Sequence, residues 1–153
     1  MDTSKRKDEK WYTNTNITYS FGSGKVTGAY GDATAKAHAD TLYTAQDETD
    51  GLGTGGDVKS RGLKYNLIQN IKKKAARILQ DTDWYIIRKA DASTAVPSAI
   101  TTHRAAVRTK AASMETAITN ASDTPALETL HTYTKQEDGS TTRPLGELPV
   151  LES

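Results

Sequence analysis

The chain has 153 residues, of which 35% are hydrophobic and 25% are charged, with a net charge of +1 and no cysteine. This length corresponds to one modest domain, and the low hydrophobic share predicts a small core that a partner, or further copies of the chain, would complete. Without cysteine, disulfides, thiolate metal sites and a cysteine nucleophile are excluded.

The first third of the chain predicts a charged arm followed by a β-hairpin. Residues 1–10, MDTSKRKDEK, lack the apolar segment of a signal peptide, and no run approaches the roughly 20 apolar residues of a membrane span. Ile17, Tyr19 and Phe21 alternate with polar residues, which indicates a strand with one buried face. Residues 22–24, GSG, are typical of a turn, so residues 25–30 are expected to form the returning strand.

An alanine-rich segment and a glycine-rich segment come next. Ala35, Ala39 and Leu42 lie at helical spacing and predict a short helix within residues 33–45. The sequence GLGTGG at 51–56 is typical of a flexible linker or loop. We take it as a linker, which divides the chain into an N-terminal arm and hairpin region, 1–57, and a helical module with an extended tail, 58–153.

The second half of the chain predicts a helical hairpin. Apolar residues at steps of three and four from Leu63 to Leu79 mark one amphipathic helix. A second helix is expected from Pro97, with an apolar stripe from Ile100 to Ile118, and residues 123–125, DTP, predict the start of a short third helix. A turn at Asp138 and an extended proline-containing tail follow. The predicted fold class is therefore α+β: an N-terminal β-hairpin, a glycine-rich linker and an antiparallel helical hairpin with a short third helix.

Charge is distributed unevenly along the chain. Six acidic residues and one basic residue occupy positions 32–57, whereas seven basic residues and no acidic one occupy 58–80. Lys72, Lys73, Lys74 and Arg77 suggest a nucleic-acid surface, but no aromatic residues interleave with them as a stacking platform would require. The favoured interpretation is that acidic and basic segments face each other within the fold or across subunits.

No sequence pattern predicts an enzyme. GSGKVTG at residues 22–28 lacks the first glycine and the hydroxyl residue after lysine that a phosphate-binding loop requires. The three histidines, His38, His103 and His131, lack the spacing of metal ligands. We therefore predict no catalytic, cofactor-binding or metal-binding residue.

The sequence DTDW at 81–84 has two interpretations. Asp81 and Asp83 are carboxylates that could share a proton or bind a metal. The favoured alternative is structural: Trp84 packs into the cleft between the two helices, and an aspartate accepts backbone hydrogen bonds or pairs with an arginine. The candidate arginines are Arg77, Arg104 and Arg108.

The arrangement of these residues resembles the tail assembly chaperone, or tail-fibre assembly, family of tailed, marine T4-like bacteriophages. An arginine and two aliphatic residues precede T-D-W, and a second helix carries two further arginines. The chain departs from the family pattern at Ile100, where an aromatic residue is common, and at His103, where tyrosine is usual. The resemblance covers roughly residues 63 to 110, with a weaker similarity of the tail up to residue 149. It implies an architectural signature, to which we add Asp81 from the corner: Arg77, Asp81, Asp83, Trp84, Arg104 and Arg108.

Two functions follow from this resemblance. The first is a structural protein of the virion, in the tail, baseplate or fibre-attachment region, made in the host cytoplasm and bound to other phage proteins or to its own copies. The second is a transient assembly chaperone that holds a tail or fibre protein and leaves before maturation. Neither function requires a cofactor, a membrane or nucleic acid.

Overall fold

The computed structural model describes residues 2–151 and confirms the α+β class. The chain forms two compact units. One comprises the residues up to Leu63 together with Ser122–Glu128, and the other comprises Lys64–Ala121 and the residues from Thr129 onwards. We call them the strand unit and the helical unit. The predicted division into domains 1–57 and 58–153 stays a prediction.

All strands of the described residues occur in antiparallel pairs of two, β1 with β4, β2 with β3, β5 with β6 and β7 with β8. The elements in chain order are β1 (Tyr12–Thr13), β2 (Ile17–Gly22), β3 (Lys25–Tyr30), β4 (Thr34–Ala35), β5 (Thr41–Leu42), α1 (Ala45–Thr49), β6 (Val58–Ser60), α2 (Leu63–Gln80), α3 (Asp83–Ala92), α4 (Ser98–Asn120), α5 (Thr124–His131), β7 (Thr134–Lys135) and β8 (Thr141–Thr142). Within residues 2–151, no helix has both the length and the apolarity needed to cross a membrane.

The predicted N-terminal hairpin is confirmed. β2 and β3 pair in continuous register from Ile17 opposite Tyr30 to Gly22 opposite Lys25. The two loop residues, Ser23 and Gly24, have positive φ angles of 52° and 72°. Positive φ at both positions is the requirement of the tight hairpin turn that matches the twist of the strands.

The prediction of a helix within residues 33–45 is wrong. Thr34 and Ala35 form β4 and pair with β1, and the backbone N–H of Lys36 donates to the carbonyl of Trp11 at 2.9 Å. A helix begins only at Ala45, where Thr44 and Asp47 form a reciprocal capping box. Pairing with a distant strand therefore overrides the helical spacing of the alanines, whose helix propensity is a weak preference.

The glycine-rich segment is a loop of the strand unit and does not act as a linker. It connects α1 to β6, which pairs back onto β5. Gly56 N–H donates to the Tyr43 carbonyl and Tyr43 N–H to the Asp57 carbonyl, both at 2.9 Å. Gly53 lies against the Tyr43 ring, and a Cβ atom there would be only 2.6 Å from it. These glycines permit close approach of the loop to Tyr43, next to the β5–β6 pair.

The core of the strand unit draws on both of its chain segments. Trp11 and Tyr12 are buried, and the Tyr12 hydroxyl donates to Glu128 at 2.9 Å. Thr124, also buried, donates its hydroxyl to the carbonyl of Lys36 at 2.6 Å. The segment Ser122–Glu128 thus supplies hydrogen-bond partners to Tyr12 and Lys36, which lie far earlier in the sequence.

In the helical unit, the two long helices match their predictions. α2 and α4 bury the apolar stripes that the sequence marks. These buried residues are Leu67, Ile71 and Ala75 in α2, and Ile100, Val107, Ala111, Met114 and Ile118 in α4. The predicted short helix α5 is also present, although its residues up to Glu128 belong to the strand unit. The predicted turn at Asp138 lies in the helical unit and closes an additional hairpin, β7–β8.

One helix is absent from the sequence-based prediction. Residues 83–92 form α3 between the two long helices, ending at Ser93, whose φ of 52° is left-handed. Trp84 to Ile87 have high strand propensity, so the local pattern conceals the helix. Thr82 and Asp83, at its start, are residue types that favour helix N-termini.

Candidate interaction surfaces

The junction of α2 and α3 is built around one buried arginine. Arg104 of α4 donates through Nη1 to the carbonyl of Leu79 and to the hydroxyl of Thr82, both at 2.7 Å. Its Nη2 lies 2.8 Å from a carboxylate oxygen of Asp83. Arg104 and Thr82 are both buried, whereas about half of the Asp83 side chain is exposed.

The charges at this junction match the helix ends that they contact. The Leu79 carbonyl belongs to the last turn of α2, where backbone carbonyls lack helical partners and a cation is favourable. Asp83 is the first residue of α3, where an anion is favourable. Thr82 also donates its hydroxyl to the Leu79 carbonyl at 3.0 Å. Arg104 therefore joins two helix ends, which is an architectural role.

The other members of the predicted signature do not join this network. Arg77, Asp81 and Arg108 are exposed, whereas Asp83 and Arg104 form one of the aspartate–arginine pairs that the sequence left open. In residues 2–151 no group of three or more histidine, aspartate or glutamate side chains is placed to hold a metal ion. The two aspartates of the corner lie in different surroundings: Asp83 is in an ion pair and Asp81 is on the surface.

The prediction that Trp84 fills the cleft between the helices is wrong. Its side chain is 49% exposed, while Thr82, which is 3% exposed, takes the buried corner position. Because residues 83–92 are helical, Trp84 lies on the surface of α3. Its ring is 3.9 Å from that of Tyr85, and the guanidinium of Arg88 lies 4.7 Å from its centroid. Ile86 and Ile87 of the same helix are also exposed.

The β2–β3 hairpin has an apolar face whose part near the turn is open to solvent. The register places Phe21 opposite Val26 and Tyr19 opposite Gly28. Tyr19, Phe21 and Val26 are 72%, 76% and 61% exposed. The sequence-based expectation that this face is buried is therefore wrong for these three residues, whereas Ile17 and Tyr30 at the other end are partly buried. We call the set of Ile17, Tyr19, Phe21, Val26 and Tyr30 the hairpin face.

Gly28 shapes the hairpin face. A Cβ atom at this position would lie 3.0 Å from the Tyr19 ring and 3.2 Å from the Ile17 side chain. The missing side chain lets the Tyr19 ring lie across the neighbouring strand. On the opposite face the hydroxyls of Ser20 and Thr27 are 2.9 Å apart. The hairpin is therefore amphipathic, with its polar and apolar faces separated as in a half-buried sheet.

The expected facing of acidic and basic segments is confirmed in the strand unit. Lys59 pairs with Asp47 at 2.7 Å, and Arg61 pairs with Asp40 at 2.6 Å. The hydrogen bond from Lys59, followed by hydrogen bonds from Thr44, lowers the pKa of Asp47 to about 2. In the helical unit the three consecutive lysines of α2 are exposed, and Lys72 lies 3.6 Å from Glu115.

One charged cluster was not identified from the sequence. Arg143 contacts Glu147 through two nitrogen–oxygen pairs of 2.8 and 2.9 Å, and the Tyr133 hydroxyl donates to Glu147 at 2.5 Å. Burial opposes ionisation of Glu147, but the Tyr133 hydrogen bond and the Arg143 charge together lower its pKa. The spacing of four residues between Arg143 and Glu147 was a weak signal, because the segment contains proline and is not helical.

No family model, curated protein or solved structure matches this chain.

Proposed function

We propose that this chain is a structural protein of a phage virion, in the tail, baseplate or fibre-attachment region, and that it acts through protein–protein contacts. The phage part of this proposal rests on the sequence resemblance of residues 63–110 to phage tail assembly proteins. The observation that supports a contact function most directly is the hairpin face, where three large apolar side chains on one side of a two-stranded sheet are exposed.

Leaving an apolar hairpin face in water is energetically unfavourable. A two-stranded hairpin is marginally stable by itself and normally requires a packed face or further strands. Burying apolar surface contributes about 25 cal/mol per Å², so covering three large side chains is worth several kcal/mol. Scattered apolar residues on a surface need no explanation, but a contiguous apolar face is typical of an interaction site.

The first experiment is mass spectrometry of purified, gradient-banded particles of the source virus. A structural protein is expected at a fixed copy number per particle. Particles reconstituted with Tyr19→Ser, Phe21→Ser and Val26→Ser together are expected to lose the chain. The matched control, Thr18→Ser with Thr27→Ser on the opposite face, is expected to be incorporated normally. Normal incorporation of the triple variant would refute the role of the hairpin face.

The second candidate function is a transient assembly chaperone that is not retained in the virion. The exposed apolar residues of α3, Trp84, Ile86 and Ile87, favour it, because a chaperone presents apolar surface to a client. This function predicts that the chain is found in infected-cell lysate bound to a tail or fibre protein and is missing from purified particles. The same mass spectrometry therefore separates the two functions.

A further inference from the structure

A cleft of about 240 Å³ opens on the surface of the helical unit, beside α2, α4 and the extended segment after Leu145. Its apolar lining consists of Ile71, Ile78, Met114 and Leu148. Met114 is almost fully buried at its base. The remaining lining is charged, with three cations, Lys74, Arg77 and Arg143, and one carboxylate, Glu147.

Glu147 balances only part of the positive charge of this rim, although its carboxylate also attracts Lys74. The carboxylate of Glu147 is already bound by Arg143 and Tyr133, and Arg143 also donates to the carbonyl of Gly146 at 3.1 Å. Lys74 and Arg77 are exposed, and neither makes a salt bridge with another residue between positions 2 and 151. The rim therefore offers two cations to an incoming anion beside an apolar pocket.

The size of the cleft indicates what could fill it. Sites for drug-sized molecules have volumes of about 300–1,000 Å³, so this cleft lies below that range. The cleft suits a single large apolar side chain. Anchor residues of protein interfaces fill pockets of the partner in this way. Arginine and lysine at the rim are suited to carboxylates, since guanidinium binds a carboxylate through two parallel hydrogen bonds.

We propose that this cleft binds a peptide segment of a partner protein in which an aromatic or aliphatic anchor is flanked by aspartate or glutamate. The anchor enters between Ile71, Ile78 and Leu148, and the flanking carboxylates pair with Lys74 and Arg77. This inference is independent of the hairpin face and of the phage assignment, because it uses only the shape and charge of the helical unit.

The test is selection of random peptides displayed on yeast against the full chain, followed by affinity measurement of the selected peptides by isothermal titration calorimetry. The wild type is expected to enrich peptides that combine an apolar anchor with neighbouring acidic residues. Lys74→Gln and Arg77→Gln are each expected to weaken binding roughly two- to fivefold, as for exposed ion pairs. Lys74→Glu with Arg77→Glu is expected to weaken it at least about tenfold, because attraction becomes repulsion.

The matched control is Lys73→Gln, which removes an exposed lysine of the same helix that does not line the cleft. It is expected to leave the affinity within twofold of the wild-type value. Selection of peptides without acidic residues, or equal binding by the double glutamate variant, would overturn the proposal. Tighter binding of dodecanoate than of any selected peptide would instead assign the cleft to a fatty carboxylate and would also overturn it. Urea unfolding of each variant confirms that these exposed substitutions leave the fold intact.

Discussion

Replacement of Arg104 tests the account of the helix junction most directly. Arg104→Ala removes three contacts at once: those with the Leu79 carbonyl, the Thr82 hydroxyl and the Asp83 carboxylate. The side chain is buried, so the variant also leaves a cavity next to α2 and α3. The cost therefore comes mainly from the two lost hydrogen bonds of the buried guanidinium and from the cavity.

The three contacts of Arg104 contribute unequally to the loss of stability. The ion pair with Asp83 contributes little, about 0–1 kcal/mol, because half of that carboxylate side chain is in water. The two hydrogen bonds from the charged guanidinium to Leu79 and Thr82 contribute roughly 1.5–3 kcal/mol each. Thr82 still bonds to Leu79 in the variant, which reduces the loss. We therefore expect Arg104→Ala to lower the free energy of unfolding by about 3–4 kcal/mol.

The measurement is urea unfolding followed by circular dichroism, with Arg108→Ala as the matched control. Arg108 lies one turn further along α4 and is exposed, so its replacement is expected to change stability by less than about 0.5 kcal/mol. Arg104→Met retains much of the volume but not the donors, and we expect it to cost about 2–3 kcal/mol. If Arg104→Ala costs less than about 1 kcal/mol, or no more than Arg108→Ala, the assigned role of the junction is refuted.

Three further predictions concern other parts of the molecule. Trp84→Ala is expected to cost only roughly 1–2 kcal/mol in urea unfolding, because half of the ring remains in water; a loss above about 3 kcal/mol would mean that the ring is buried. Lys59→Met is expected to raise the pKa of Asp47 from about 2 towards its ordinary value in a carbon-13 NMR titration, since the Lys59 hydrogen bond is the largest cause of the lowering. Because folding lowers the pKa of Asp47, the stability that its ionised form contributes is present above about pH 4 and is lost as the pH falls towards 2. An unchanged Asp47 pKa in Lys59→Met would contradict the assigned contact. Ser23→Asn is expected to stabilise the chain by about 0.5 kcal/mol, because asparagine tolerates positive φ better than serine, and thermal unfolding that shows a loss would argue against the assigned turn.

The elements predicted correctly are those specified by local pattern. Periodic apolar residues identify α2 and α4, and the pair of strands around Ser23 and Gly24 is marked by alternation and by a turn sequence. In both cases neighbouring residues carry the necessary information. The Asp83–Arg104 pair was one of several alternatives that the sequence left open, because it joins residues distant in the chain.

The features predicted incorrectly depend on distant parts of the chain. Two short parts of the segment 33–44 form strands, β4 and β5, because they pair with β1 and β6, which the segment's own sequence does not reveal. Trp84 was expected to be buried because tryptophan usually is, but the small Thr82 fits between the Leu79 carbonyl and the Arg104 guanidinium. Alternation in β2 predicted an amphipathic strand, but it could not show what covers the apolar face. Within the described residues, Tyr19 and Phe21 of that face are exposed.

The discontinuous strand unit has a consequence for synthesis on the ribosome. The acceptor for the Tyr12 hydroxyl is Glu128, and the donor to the Lys36 carbonyl is Thr124, so these bonds cannot form when residue 63 has just been made. At roughly 5–20 residues per second, the intervening chain takes about 3–13 s to be translated. During that interval the nascent N-terminal part carries its exposed hairpin and an unfinished core. Folding of this part is therefore expected to be completed late in translation, after α4 has been synthesised.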